Sequence, residues 1–192
     1  MINLKNLKPD IRRLKEMKKV IYDKKWLKTA PNLELYYMYR GIKKSGDLRY
    51  DITIIPSLMM GKEFVKTAGH FHSEKFQELY IVLQGEAIFL MQKGKWENLK
   101  DIYAVKAKKG NAVIVPPKYG HVTINPSNKE LKLANWISDR VKYDYSQFKK
   151  LGGAGYFYTK NGWVKNKNYK KLPKLRFEKP LKEIPKNLDF LR

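Results

Sequence analysis

Residues 64–136 of this 192-residue chain form a series of short apolar runs that are separated by turn-forming residues. Runs of this length match β-strands, whereas helices of a globular core are usually longer. Strands at such close spacing are typical of a β-sandwich or β-barrel, so we predict an all-β fold. The runs cover residues 78–83, 87–92, 112–115, 121–125 and 131–137.

The length of the chain allows one well-packed domain with peripheral segments, and it is short for two ordinary domains. Residues 9–22 have the apolar spacing of a short amphipathic helix. The end of the chain is rich in lysine and proline and has no clear period. We therefore expect an N-terminal helical extension over 1–30, a barrel over 31–160 and a basic C-terminal tail over 161–192.

Composition limits the chemistry of the chain. Cysteine is absent, so disulfides, zinc-thiolate sites and a cysteine nucleophile are excluded. The formal charge of +23 is compatible with nucleic acid, an anionic membrane surface or anionic small substrates. The basic residues are spread along the chain without a nucleic-acid-binding signature, so a nucleic-acid partner is not expected. With no apolar run of membrane-spanning length, we expect a cytoplasmic protein without a membrane partner.

All 3 histidines lie in two compact patterns, Gly-His-Phe-His at 69–72 and Pro-Pro-Lys-Tyr-Gly-His at 116–121. Residues two apart on a strand point to the same side, so His70 and His72 present two imidazoles to one point. Glu78 on the next strand and His121 from a facing sheet can complete a site for one divalent cation. Imidazole and carboxylate ligands without sulfur suit Fe(II), Mn, Ni or Zn, and the pattern does not choose among them.

These two patterns resemble the paired motifs of the cupin superfamily, whose fold is a double-stranded β-helix, or jelly-roll barrel. One spacing departs from that resemblance, because five residues separate His72 from Glu78 where the usual motif has three or four. Glu74 is therefore an alternative carboxylate ligand. Glu78 is favoured because Gly85 follows it at the usual offset.

Within the cupins, the sequence is similar to the archaeal cupin-type phosphoglucose isomerases up to about Asn168. The block Thr-Ala-Gly-His-Phe-His at 67–72 is the most diagnostic, and Gly-Lys-Glu-Phe at 61–64 also matches. The resemblance implies metal-dependent interconversion of glucose 6-phosphate and fructose 6-phosphate by a homodimer. It implies one divalent metal per subunit, with Fe(II) as the first choice and Mn, Ni or Zn as alternatives.

The resemblance also implies roles for individual residues. Glu78 and Tyr80 correspond to catalytic positions. Substrate contacts are implied for Tyr36, Thr53, Thr67, Gly69, Trp136 and Tyr143. Trp136 and Tyr143 depart from the family, which has a tyrosine and a histidine there, and neither replacement supplies the same chemistry. Two other hypotheses therefore stay open. The first is a dioxygenase that uses oxygen with Fe(II) at the same residues. The second is a non-catalytic protein that binds a phosphosugar or nucleic acid and has a structural metal.

Overall fold

The computed structural model describes residues 3–73 and 76–192, and these residues are mostly β with few short helices, as predicted. The described residues form the strands β1 (Asp10–Arg13), β2 (Glu34–Ser45), β3 (Leu48–Ile55), β4 (Met59–Met60), β5 (Glu63–Phe64), β6 (His70–His72), β7 (Glu78–Gln84), β8 (Glu86–Lys95), β9 (Asn98–Lys108), β10 (Ala112–Val115), β11 (Gly120–Ile124), β12 (Leu131–Ser138), β13 (Tyr143–Asp144), β14 (Tyr156–Thr159), β15 (Gly162–Lys165) and β16 (Arg176–Glu178). The helices are α1 (Leu14–Met17), α2 (Lys24–Leu27) and α3 (Ser146–Lys150), with 3-10 turns at Lys18–Val20 and Asp189–Leu191.

The fold is built mainly from two six-stranded sheets. The first sheet has the order β1-β2-β3-β12-β7-β10, and the second has the order β13-β6-β11-β8-β9-β16. A small sheet, β15-β14-β5-β4, lies beside them. Within the two large sheets the chain pairs in nested fashion, β3 with β12, β6 with β11, β7 with β10 and β8 with β9, all antiparallel. This nesting is the topology of a jelly roll, so the predicted cupin-type fold is confirmed.

The core lies between the two large sheets and continues beneath the N-terminal segment. Phe89 and Met91 of β8 are fully buried. Leu90 points to the other face of the same strand, and Leu90 and Phe148 of α3 are also at most 1% exposed. A second apolar cluster covers the outer face of the first sheet and includes Leu79 and other buried residues of its strands. Apolar clusters therefore lie on both sides of the first sheet. Since strand residues alternate between faces, the polar residues on its inner face point into a cavity between the sheets.

The N-terminal segment differs from the helix predicted over 9–22. Asp10–Arg13 is strand β1, which pairs with β2 at the edge of the first sheet, and the helix begins only at Leu14. The Glu16 carboxylate accepts a hydrogen bond from the Arg13 backbone N–H at 2.8 Å, which caps the helix at that point. As a strand, residues 10–13 form hydrogen bonds with the open edge of β2. If they were a further helical turn, the backbone N–H and C=O groups along that edge would stay unpaired. No helix among the described residues is both long enough and apolar enough to cross a membrane.

The C-terminal segment runs along the edges of both large sheets. Strand β16 pairs in parallel with β9 at the edge of the second sheet. Further on, Leu181 forms a bridge to Ala112 of β10, at the edge of the first sheet. Leu191 is fully buried in the outer apolar cluster. The tail therefore covers two edges that would otherwise offer unpaired backbone groups. The division of the chain at residues 30 and 160 stays a prediction.

Candidate metal centre and active site

The four predicted metal ligands come from three strands that meet inside the barrel. His70 and His72 lie on β6, Glu78 begins β7, and His121 lies on β11 opposite His70 in the strand register. One ligand atom from each residue lies within 4.8 Å of the others. The Nε2 atoms of His70 and His72 are 3.3 Å apart, as expected for two residues that share one face of a strand. The alternative ligand, Glu74, lies outside the described residues.

Two of the three histidines are held in the neutral form that binds metals. Burial, together with the neighbouring His72, lowers the pKa of His70 well below its ordinary value of 6.5. Burial and the two neighbouring imidazoles do the same to the pKa of His121. Both rings are therefore neutral at pH 7 and keep a nitrogen lone pair. His72 Nδ1 lies 3.4 Å from the carbonyl oxygen of Phe76, an arrangement that turns its Nε2 towards the other ligands.

Glu78 is bonded on one side and free on the other. Its Oε1 accepts a hydrogen bond from Asn135 Nδ2 at 2.7 Å. Its Oε2 is buried and makes no hydrogen bond to any described residue, although it lies 3.2 Å from His72 Nε2 and 3.4 Å from His121 Nε2. A buried carboxylate oxygen without a donor costs about 1–3 kcal/mol or more. A carboxylate oxygen and three imidazoles that converge in this way fit a divalent cation.

A partly open cavity adjoins this cluster. It is lined by six further residues that the sequence predicted: Tyr36, Thr53, Thr67, Gly69, Tyr80 and Tyr143. Burial and the charge of Glu78 raise the pKa of Tyr80 well above its ordinary value of 10, so its phenol stays protonated at neutral pH. The Tyr80 hydroxyl lies 3.2 Å from His121 Nε2.

Two hydroxyl groups of the cavity have their oxygen already occupied as an acceptor. Thr67 Oγ1 accepts from the backbone N–H of Thr123 at 2.9 Å, and the Tyr36 hydroxyl accepts from the backbone N–H of Ala68 at 3.3 Å. Each hydroxyl therefore keeps its own hydrogen for another acceptor. A cavity lined by such donors suits an oxygen-rich or anionic ligand.

Gly69 is required by its surroundings as well as by its position in the motif. Its φ of +80° lies in the left-handed region that side chains disfavour. A Cβ atom there would lie 2.6 Å from Val122 Cγ2 and 2.8 Å from Phe148 Cδ1. The missing side chain lets the backbone pass close to the core just before His70.

The structure does not bring Trp136, the remaining predicted substrate contact, to the cavity. Its ring packs on the outer face of the first sheet, with its centroid 4.9 Å from that of Tyr50. Asn135, its neighbour on β12, faces the cavity instead. The physical reason is strand alternation, since two adjacent residues of a strand cannot face the same side.

Sequence reasoning missed four further polar residues that line the cavity: Arg40, Asp51, Asn135 and Tyr145. One signal was available for Asp51, because Arg49, Asp51 and Thr53 are polar residues at alternate positions of a strand. Asn135 lies within an apolar run and lacks any spacing relation to the histidine motifs. Its place beside Glu78 depends on the register between β12 and β7, which the sequence does not display.

Comparisons with known proteins agree with this geometry. The family model described as glucose-6-phosphate isomerase matches residues 11–174. The glucose-6-phosphate isomerase of Pyrococcus abyssi is 31% identical over 166 residues, which cover 81% of this chain and 83% of that protein. The enzyme of Thermococcus litoralis is 30% identical over 168 residues, covering 84% and 86%.

Among solved structures, Lactobacillus farciminis oxalate decarboxylase superimposes on 63% of this chain and 34% of its own, with 17% identity and a TM-score of 0.48. The family match spans most of the described barrel and includes all four residues of the metal cluster. The chain belongs to the glucose-6-phosphate isomerase family.

Proposed function

We propose that this protein is a metal-dependent glucose-6-phosphate isomerase that interconverts glucose 6-phosphate and fructose 6-phosphate, a reaction of glycolysis and gluconeogenesis. The observation that carries the proposal is the state of Glu78. One oxygen is fixed by Asn135, and the other is buried and free among three imidazoles at the wall of a cavity lined by hydrogen-bond donors. The relatives in Pyrococcus and Thermococcus that bear this name support the choice of substrate.

His70, His72, Glu78 and His121 would hold the metal, because their ligand atoms converge and two of the imidazoles are neutral at pH 7. Following the family resemblance, we put Fe(II) first, with Mn, Ni or Zn as alternatives that the same nitrogen and oxygen ligands accept. A divalent ion held there supplies Lewis-acid polarisation of the substrate oxygens.

The isomerisation moves a hydrogen between the first two carbons of the sugar and also moves a hydroxyl proton. Glu78 is the candidate acid and base, because its carboxylate borders the cavity and Asn135 fixes its orientation. It serves a proton transfer directly, and in a hydride shift it serves the movement of the hydroxyl proton. Tyr80 would donate a hydrogen bond to a substrate oxygen from its protonated phenol.

The phosphate of the substrate would lie against Thr53, Thr67 and the backbone N–H of Gly69. The hydroxyl hydrogen of Thr67 is available because its oxygen is the acceptor for Thr123. Tyr36 is in the same state and would contact the sugar. The charge of +23 on the whole chain also favours an anionic substrate.

We also infer from the family resemblance that the protein is a cytoplasmic homodimer. Light scattering coupled to size-exclusion chromatography measures the assembly directly. A mass of one chain, 22.7 kDa, would contradict the dimer.

A coupled assay for conversion of fructose 6-phosphate into glucose 6-phosphate tests the proposed activity. Chelator-stripped protein should be inactive, and one or more of Fe(II), Mn(II), Ni(II) and Zn(II) should restore turnover. Glu78→Gln removes a metal ligand together with the proposed acid and base, so kcat should fall by at least about 10²-fold. Glu86→Gln, which removes a half-exposed carboxylate of β8, is the matched control and should retain turnover.

The same samples separate the alternatives. If protein that is shown to bind a metal gives no turnover with any of the four metals, the isomerase proposal is contradicted. Oxygen consumption with a candidate substrate would then indicate a dioxygenase. Binding of hexose phosphate without turnover would indicate a phosphosugar-binding protein.

A further inference from the structure

A chain of hydrogen bonds runs from the first sheet to a tyrosine at the edge of the second. Asp51 of β3 is 4% exposed, and its carboxylate accepts from the backbone N–H of Gly41 at 2.7 Å and from Arg49 Nε at 3.0 Å. Arg49 Nη2 in turn donates to the hydroxyl of Tyr143 in β13. Asp51 therefore fixes the guanidinium, and the guanidinium fixes the phenol.

The chemistry of these groups sets the direction of the last hydrogen bond. A guanidinium can only donate, so the Tyr143 oxygen is the acceptor and its own hydrogen points elsewhere. Among the described residues, no hydrogen-bond acceptor takes that hydrogen. Tyr143 lines the cavity, and its ring stands edge-on to that of His70, with centroids 4.7 Å apart. The space left for an acceptor is therefore the cavity beside the proposed metal centre.

We propose that Tyr143 donates its hydroxyl hydrogen to an oxygen at the reacting end of the sugar, and that Arg49, held by Asp51, is the positioning residue for it. This inference rests on the proposed isomerase function. Such a hydrogen bond stabilises negative charge that develops on the substrate oxygen while the hydrogen moves between carbons. No proton needs to leave Tyr143, so the step has no further requirement.

The positions of the charges agree with this role. Arg40 and Arg49 lie with their guanidinium carbons 5.8 and 5.7 Å from the centroid of the Tyr143 ring. The side chain of Arg49 is only 17% exposed, so its geometry is set by the protein more than by water. A phenol fixed in this way stands where the family resemblance implies an imidazole, and towards the substrate it acts only as a hydrogen-bond donor.

Tyr143→Phe tests the donor while it keeps the ring. We expect kcat to fall by about 10–10³-fold, within the range for a lost donor to developing charge, with metal affinity unchanged within about twofold. Tyr50→Phe, on the outer face of the same strand as Arg49, is the matched control. Wild-type kcat in Tyr143→Phe would overturn the proposal.

Binding separates this proposal from the isomerase itself. Calorimetry on metal-loaded protein should show that Tyr143→Phe binds fructose 6-phosphate about tenfold more weakly than wild type, the effect of one hydrogen bond. Inorganic phosphate, which occupies only the phosphate end of the site, should bind wild type and variant equally. A wild type that binds fructose 6-phosphate without turnover contradicts the isomerase alone, whereas equal affinities in wild type and variant overturn the role of Tyr143.

A double-mutant cycle tests whether Arg49 acts through Tyr143. Arg49→Gln should lower kcat nearly as much as Tyr143→Phe, and the double variant should be no slower than Tyr143→Phe alone. Arg49→Lys keeps one donor and should recover part of the loss. A merely structural arginine would give losses that multiply in the double variant, and that result would overturn the positioning role. Circular dichroism and thermal melting verify that each variant is folded.

Discussion

At the scale of single residues, the candidate site depends on which oxygen of Glu78 is occupied. Asn135 takes one oxygen and leaves the other to face His72 and His121. The sequence predicted Glu78 and the histidines because strand spacing and motif offsets relate them. It could not predict Asn135, because the contact joins two strands whose register is set by the whole barrel.

Removing the amide of Asn135 should weaken metal binding. We expect Asn135→Leu to lower affinity for Mn(II) or Zn(II) by about 10–100-fold, the usual effect of losing a hydrogen bond to a metal ligand. Asn166→Leu is a matched control, since Asn166 is a buried amide that bonds Leu151 and Ala154 instead. The control should lose stability but keep metal affinity. Equal affinities in Asn135→Leu and wild type would contradict the role of Asn135.

The buried histidines predict how the stability of metal-free protein depends on pH. Because burial lowers the folded-state pKa of His70 and His121 below 6.5, the unfolded chain takes up protons first as the pH falls. The free energy of unfolding should therefore be complete above about pH 6.5 and decline below it, by up to about 1.4 kcal/mol per pH unit for each histidine.

Urea unfolding of chelator-stripped protein between pH 7.5 and 5.5 measures this slope. His121→Gln should reduce it, because one of the two contributing groups is gone. A stability that stays constant across this range would show that the two imidazoles are not buried as described.

At the scale of elements, the alternation of residues along strands decides which side chains reach the cavity. The alternation in β7 was predictable, and Glu78 and Tyr80 do face the cavity. On β12 the family resemblance pointed to Trp136, but the strand turns Asn135 inward and Trp136 outward. Because the run is almost entirely apolar, its sequence does not show which set of alternate residues faces the cavity.

Trp136→Phe should therefore leave catalysis intact. We expect kcat and KM for fructose 6-phosphate to stay within about twofold of wild type, with a modest loss of stability from poorer packing on Tyr50. Steady-state kinetics and thermal melting measure the two effects. A large rise in KM without loss of stability would place this residue at the substrate after all.

The peripheral segments show where local patterns fail. Residues 10–13 belong to the segment 9–22 that has helical apolar spacing, yet they form β1 because the edge of β2 is available to them. The tail has no period of its own, and its path is set by the sheet edges that it covers. In both segments, pairing with a sheet edge decides the conformation, and the local sequence pattern does not.

The buried end of the tail should contribute to global stability. Leu191 is fully buried against the outer face of the first sheet, so Leu191→Ala should cost about 2–5 kcal/mol of unfolding free energy. Ile184→Ala, at a position 46% exposed in the same tail, is the control and should change stability little. Chemical denaturation compares the two. Equal, small effects would mean that the end of the tail does not pack in solution.

At the scale of the whole molecule, the nested strand pairing brings distant motifs together. The pairing of β6 with β11 places His70 beside His121, and the pairing of β7 with β10 places Glu78 at the same level of the barrel. The sequence indicated the class of fold and both motifs. The sequence did not indicate the long-range strand register or the path of the tail. It also did not indicate that Arg40 of β2 and Asp51 of β3 line the cavity, because these features arise only when the sheets assemble.

We propose that one ion bound by His70, His72, Glu78 and His121 makes this barrel an isomerase. The most direct measurement is turnover of fructose 6-phosphate as chelator-stripped protein is titrated with Fe(II) under anaerobic conditions, with bound metal measured in parallel. We predict that activity rises linearly and levels off at one ion per chain, and that His121→Ala abolishes both binding and turnover. Activity in stripped protein that does not depend on added metal, or saturation with metal without turnover, would contradict a metal-dependent isomerase.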